Sequence, residues 1–518
     1  MNRILLPLAA LLLCLPLAAQ EREALTVTPD RHVQYNPYPN GDRVPDYSYC
    51  GYRASEVPVP DLLADPSVPV LRLSPAGGDN TQKIQDALDH AGDLPLRENG
   101  FRAVVLLAPG RYVLEGSLLI QRSGVVLRGS GQLETTLFAA GTGRETAIQV
   151  RGVDDAREEA ALQMQTEYLP VGETKIPLAA GHGLQPGDRV RITRPSTQEW
   201  IHLLSMDRIG MSADYQHWLW TPGDYDLVFD RTVVSADASG ISVDAPLPIA
   251  FDARYGGGTV ARYDWPGRID HVGIENLRIV SDCDPARPKD EDHRWMAVTF
   301  ENVEDAWARR IVAEHFVSSL AAVWETARRI TVEDCKNLAP VGEIGGYRRL
   351  AFQTLGQQTL FQRCWSEEGW HDFTVGEHAA GPNAFVQCWA ERPHSWSGAL
   401  GGWSCGTLFD RTTVASAPIK FTNVWLDNMG GGWASANALC WMCRTPELHL
   451  EDPPLAHNWA FGTSGQSIGG GSHGEHKLNH PESIYYYQLA QRGISSEEAD
   501  KVIRYERIFG ENDPLKRV

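Results

Sequence analysis

Between residues 103 and 129 the chain carries four short apolar runs, at 103–107, 112–114, 118–120 and 125–129, punctuated by Gly110, Gly116 and Gly124. The gaps leave no room for crossover helices or long hairpins, so the runs read as strands of a stacked coil. The pattern resumes at 272–279 and continues through 308–312, 328–335, 359–365, 384–389, 407–414 and 418–425. Steps of roughly 20 to 30 residues fall within the range of repeat architectures. Apolar and polar positions alternate within each run, as a strand with one face in a bore requires. Ahead of the coils, Asp79 or Asn80 can cap a helix whose apolar Ile84, Ala87 and Leu88 recur at helical spacing. The expected fold is all-β, a right-handed parallel β-helix with an N-terminal capping helix.

The coil pattern stops between 167 and 263. There, 186–192 and 241–247 read as strands of a small inserted β-subdomain, and 200–220 is rich in aromatics and His. After about 482 the pattern turns helical, at 484–489 and again at 495–509. The organisation is therefore an export signal (1–19), a Pro-rich lead-in (20–70), the cap and first coils (71–166), the inserted β-subdomain (167–263), the main coils (264–480) and a C-terminal helical cap or tail (481–518).

The signal rests on Arg3, the apolar run from Ile4 to Leu17 broken by Pro7 and Pro16, and small residues before Gln20. It implies a secreted or periplasmic protein, free of the membrane after cleavage. A formal charge of -19 argues against a nucleic-acid partner. In an exported chain cysteines default to disulfides. Yet Cys335, Cys364 and Cys388 sit in similar contexts 29 and 24 residues apart, which points to stacked buried thiols. Cys440 and Cys443 have no second pair at zinc spacing.

The helix phrase at 78–88, the Leu106 to Tyr112 step and the Gly124 to Gly131 phrase resemble the N-terminal portion of pectate-lyase-superfamily proteins. The resemblance implies that the helix closes the open end of the β-helix and that the insertion sits beside a groove.

Candidate chemistry gathers between Gly342 and Gly402. His371 and Asp372 form an imidazole–carboxylate pair that works only in a turn, because neighbours on a strand point oppositely. Glu368, ahead of Gly369, favours such a turn. Arg348 or Arg349 can clamp a uronate carboxylate in a bidentate fork, with His371 or His394 as the base and Tyr347 as the acid of a β-elimination. Glu368, Asp372, Glu377 and Glu391 permit the paired-carboxylate chemistry of a glycosidase instead. Nine of the sixteen Trp lie between 365 and 459. Trp370, Trp396 and Trp403 are candidate sugar platforms, with Glu368 and Asn458 as further substrate contacts. His473 and His476 flank Glu475 in a Gly-rich stretch that reads as a loop before it reads as a metal site. No metal ligands and no cofactor are assigned; calcium stays open as a cofactor, with no recognisable site for it.

Residues 345–375 and 456–462 resemble a subgroup of secreted β-helix proteins predicted to degrade polysaccharides. A second His expected near His394 in that subgroup is missing. Polygalacturonase motifs do not assemble. Three readings follow: a lyase on a uronate-containing glycan first, a glycoside hydrolase second, and a non-catalytic glycan-binding β-helix third. The partner in each is a polysaccharide; oligomeric state is not legible.

Overall fold

The structure, a computed structural model, describes residues 23–494 apart from 210–218, 427–430, 474–477 and 479. The export signal, the helical run at 495–509 and the pair Glu475 and His476 lie outside the described residues.

One coil shows the plan. Thr359–Gln362 runs in a first sheet, the chain turns at Arg363, and Trp365–Glu367 runs in a second. A turn over 368–372 then leads into Phe373–Val375 in a third sheet, and 376–382 returns to the first at Asn383–Val386. Each strand pairs in parallel with its counterpart one coil on. Among the described residues, twenty-eight strands join this way, from Val70–Leu73 to Ser472–His473. Parallel crossovers of this kind take the right-handed course. The chain is a right-handed parallel β-helix.

The corner between the first and second sheets is a single left-handed residue. Asn276, Arg310, Asp334, Arg363, Gln387, Arg411 and Met442 hold it on successive coils, with φ between 49° and 56°. The next residue points inward: Leu277, Ile311, Cys335, Cys364, Cys388, Thr412 and Cys443, all buried. All eight described cysteines are free thiols. A thiol fills the bore there as a small hydrophobe would.

The helix Thr81–Asp93 lays Ile84, Leu88 and Ala91 on the open end of the core. Its first turn is capped by Asp79, whose Oδ1 accepts from Thr81 N at 2.8 Å. The Asn80 side chain is turned back onto Ala76 and Gly78.

The outward face of the first sheet is covered along its length. Tyr52 and Leu62 of the lead-in pack on Val104, Val126 and Trp307. Tyr47 and the helix Ile484–Gln491 pack on Leu360, Val386, Leu408 and Trp441. This face is closed to a ligand.

The insertion leaves the third sheet after Arg151 and returns to the first at Ile269. It opens earlier than the expected 167, because Arg157–Glu158 and Leu162–Gln163 already pair antiparallel with Thr259–Asp264. Its body is Arg189–Arg194, Leu227–Asp237 and Gly240–Val243, with a core that joins the helix through Trp200, Trp403 and Cys405.

Candidate active site

The outward positions of the third sheet are Gln353, Thr374, Gly398 and Lys420, in register on successive coils. Their neighbours Phe352, Phe373, Val375, Ala399 and Ile419 face the bore. Gln353, Thr374 and Gly398 are buried and Lys420 is half-buried, so the loops on both edges cover most of this strip.

The first edge is built by the turns that enter the third sheet. These turns stack by backbone hydrogen bonds: Arg349 N to Val317 O at 2.8 Å, Trp370 N to Arg349 O at 2.9 Å, and His394 N to Gly369 O at 2.8 Å. Arg348, Arg349, Glu368, Trp370, His371, Asp372, His394 and Trp396 therefore share one wall, although they span almost fifty residues of sequence.

Their contacts differ from the roles the sequence assigned. His371 and Asp372 do not pair. His371 is fully buried, with Nδ1 2.7 Å from Trp396 O and its ring edge-on to the Trp396 indole at 4.3 Å. Burial lowers its pKa to about 4, so the ring is neutral. Asp372 is equally buried, and its Oδ1 accepts from the Ser366 hydroxyl and from Gly369 N. Glycine is required at 369, since a Cβ there would stand 2.3 Å from Asp372 Oδ1. Burial raises the Asp372 carboxyl to about 7. Both residues tie the turn together.

Arg348 gives its fork to Glu291, at 2.9 and 3.0 Å, and lies over Trp295. Arg349 is buried and donates to the Glu368 and Gly342 carbonyls at 3.2 and 3.1 Å. Neither presents an open bidentate face. His394 and Tyr347 are exposed. Trp396 and Trp403 are buried, and Trp396 carries the Lys420 ammonium 4.2 Å above its ring. Asn458 is no substrate contact: it is fully buried, accepting from Ala438 N and donating to Ser435 O and Glu451 O.

The second edge, where the third sheet returns to the first, holds a different cluster. Glu377 and His378 follow Phe373–Val375, and Glu325 follows Ala321–Val323 two coils earlier. Two steps of about 4.8 Å set their backbone positions about 10 Å apart along the axis. The subdomain closes over them: the Tyr225 ring meets the His378 ring edge-on at 4.7 Å and stacks on Trp220 at 4.0 Å.

Glu377 is the electrostatic centre. Burial raises its pKa, and the Glu325 charge raises it further. Burial and Glu377 together lift the Tyr225 phenol to about 12, and the same two causes raise Tyr347. Burial lowers the pKa of His378 against the pull of Glu325, Asp224 and Asp226. A carboxyl whose pKa is raised, near a second acidic side chain, is the pairing that can protonate a leaving oxygen while the second group acts on water. Among the described residues, no three His, Cys, Asp or Glu side chains converge as a metal site.

The sequence reading had Glu377 and Tyr347 but missed Glu325 and Tyr225. One signal for Glu325 exists: Val323-Trp324-Glu325 and Val375-Gly376-Glu377 repeat a Val-x-Glu phrase at equivalent coil positions.

No family model and no curated protein matches this sequence. Among solved structures the chain is similar to ORF18 of Geobacillus virus E2, at 11% identity and a TM-score of 0.34 over 78% of this chain. It spans 59% of that protein, less than two thirds of its length. The tailspike gp49 of Pseudomonas phage LKA1 matches at 13% identity and a TM-score of 0.35, over 75% of this chain and 70% of that one. The endo-xylogalacturonan hydrolase of Aspergillus tubingensis matches at 9% identity and a TM-score of 0.30, over 78% and 94%. Identities this low bear on fold alone, and the fold rests on the strand pairing itself. By that pairing, the chain is a parallel β-helix.

Proposed function

We propose that this chain is an exported enzyme that cleaves a polysaccharide by hydrolysis, with Glu377 as the proton donor and Glu325 as the second carboxyl group. The observation that carries the reading is the Glu377 carboxyl. Burial and the Glu325 charge raise its pKa, and it in turn raises the phenols of Tyr225 on the subdomain and Tyr347 on the other wall. Elimination finds less support. Of its two candidate bases His371 is buried and only His394 is exposed, and its carboxylate clamp is engaged by Glu291 at Arg348 and by carbonyls at Arg349.

In the hydrolytic reading, Glu377 donates its proton to the glycosidic oxygen as the bond breaks, and Glu325 draws a proton from the attacking water. Trp220 holds the Tyr225 ring in place, and Tyr225 closes the subdomain side.

The test is a panel of neutral and acidic polysaccharides incubated with the purified chain, reading new reducing ends and the ultraviolet absorbance of unsaturated uronates in parallel. Hydrolysis gives reducing ends without that absorbance. Glu377→Gln is expected to lower kcat by about 10²- to 10⁴-fold, the usual scale for a lost general acid. Activity should fall on the alkaline side as Glu377 loses its proton, and its raised pKa places that limb above the ordinary carboxylate range. Absorbance rising with each new end, unaffected by Glu377→Gln, would return the assignment to elimination by His394.

A further inference from the structure

A cavity of about 390 Å³, none of whose lining residues belongs to the Glu377 cluster, is lined by Asn40, Glu167, Tyr168, Asp252, Arg254 and Leu455. Its walls come from three parts of the chain: the lead-in, the subdomain and the loop after Arg444–Leu450. It is in the small-ligand range of roughly 300 to 1,000 Å³. The Leu455 loop belongs to the same edge of the β-helix as Glu377, three coils further on. At about 4.8 Å per coil that is a distance of about 14 Å along the axis.

The lining is set before any ligand arrives. Tyr168 donates its hydroxyl to Asp42 at 2.6 Å and accepts from the Asn40 amide at 2.9 Å, so its ring is pinned as a flat wall. Leu455 stands 46% exposed, a second apolar surface. Arg254 gives Nε and Nη2 to Asp252 at 3.0 and 2.6 Å, which leaves Nη1 to donate elsewhere. Glu167 is exposed and supplies an acceptor. One flat ring, one aliphatic patch and a rim of separate donors and acceptors suit a pyranose, whose faces are apolar and whose edge is hydroxylated. Glu167 and Asp252 against Arg254 leave the lining at a formal charge of -1, with buried Asp42 directly behind Tyr168. That sign disfavours a carboxylate or sulfate.

We propose that this cavity is an accessory binding site for an uncharged sugar residue, separate from the Glu377 cluster. It holds a neutral sugar unit at a distance of a few residues along a bound glycan. The inference stands whichever bond the Glu377 cluster cleaves.

The test is ligand-observed NMR on the full chain with lactose, maltose, cellobiose and free glucuronic acid as probes. Wild type, Arg254→Ala, Leu455→Asp and Glu377→Gln are compared. Both Arg254 and Leu455 are exposed, and melting curves establish that their variants fold. The expected result is millimolar or tighter binding of at least one neutral disaccharide, with glucuronic acid silent. Binding should weaken at least tenfold in Arg254→Ala and in Leu455→Asp and stay unchanged in Glu377→Gln. The inference is overturned if no neutral probe binds, if both cavity variants bind as wild type does, or if only Glu377→Gln loses binding.

Discussion

At the scale of single residues, His371 and Asp372 titrate in opposite directions over the same range of pH. Asp372 sits at about 7 in the folded chain against 3.8 as its ordinary value. The folded state therefore keeps a proton that the unfolded state has already released, and stability falls as pH rises from about 4 to about 7, by on the order of 4 kcal/mol. His371 sits at about 4 against 6.5. Here the unfolded state takes the proton first, so stability rises over about pH 4 to 6.5, by on the order of 3 kcal/mol. The neighbours nearly cancel. Relative to wild type, Asp372→Asn should remove a falling contribution, so its Tm drops less between pH 4 and 7, and His371→Gln should remove a rising one, so its Tm drops more steeply between pH 4 and 6.5. Asp410, also raised to about 7 by burial, adds a slope common to all three proteins and drops out of the comparison. Superimposable Tm profiles would mean that neither group is buried as described.

At the scale of the elements, the corner between the first and second sheets decides how each coil closes. Only glycine takes a left-handed φ without strain, and other residues give up about 1 kcal/mol there. Gln387 holds that corner at φ 54°, and both polar atoms of its side chain are buried without a partner. Gln387→Gly should therefore raise stability by about 0.5 to 1 kcal/mol, read as a higher denaturant midpoint at unchanged m-value. The corner also shows what the sequence can carry. Asn, Arg, Asp, Gln and Met occupy it, so no glycine marks the turn. The thiol one residue later was readable because Cys335, Cys364 and Cys388 each need only to be small and apolar. The wall of turns was readable too, since coil spacing alone brings Arg349, Trp370 and His394 together. Which way each side chain points was not. His371 and Asp372 do end a turn, yet burial takes both out of reach of substrate, and Arg348 finds its partner in Glu291, far off in sequence. Adjacency in the chain fixes neither fact. Glu325 was hidden for the converse reason: it lies outside the stretch dense in Trp and His, and only its coil position links it to Glu377.

For the molecule as a whole, the three sheets have unequal fates, and the subdomain decides where chemistry can occur. The first sheet is sealed by the lead-in and the C-terminal helix, while the third is roofed on one side by Tyr225. Whether Tyr225 stays over His378 depends on how the subdomain is docked, and the dock is ionic as well as apolar. Glu304, on the β-helix and only 3% exposed, meets Arg189 of the subdomain at 2.6 Å and Arg328 at 2.7 Å, with Arg329 and Arg268 at 3.5 and 3.9 Å. Burial alone would raise its pKa, but Arg328, Arg268, Arg329 and Arg189 hold it well below the carboxylate range. Removing one member of such a set leaves buried guanidinium groups uncompensated, a loss of about 3 to 5 kcal/mol. Glu304→Gln keeps the shape and removes only the charge. It should lower stability on that scale, open 152–268 to limited proteolysis before the coils are cut, and lower kcat as Tyr225 leaves His378. If the variant melts as wild type does and the insertion stays protected, the contact of Trp200 with Trp403 at 4.9 Å carries the dock, and the ions are bystanders. If proteolysis opens the insertion while kcat is unchanged, Tyr225 has no part in the reaction, and the catalytic wall reduces to the β-helix loops that carry Glu325 and Glu377.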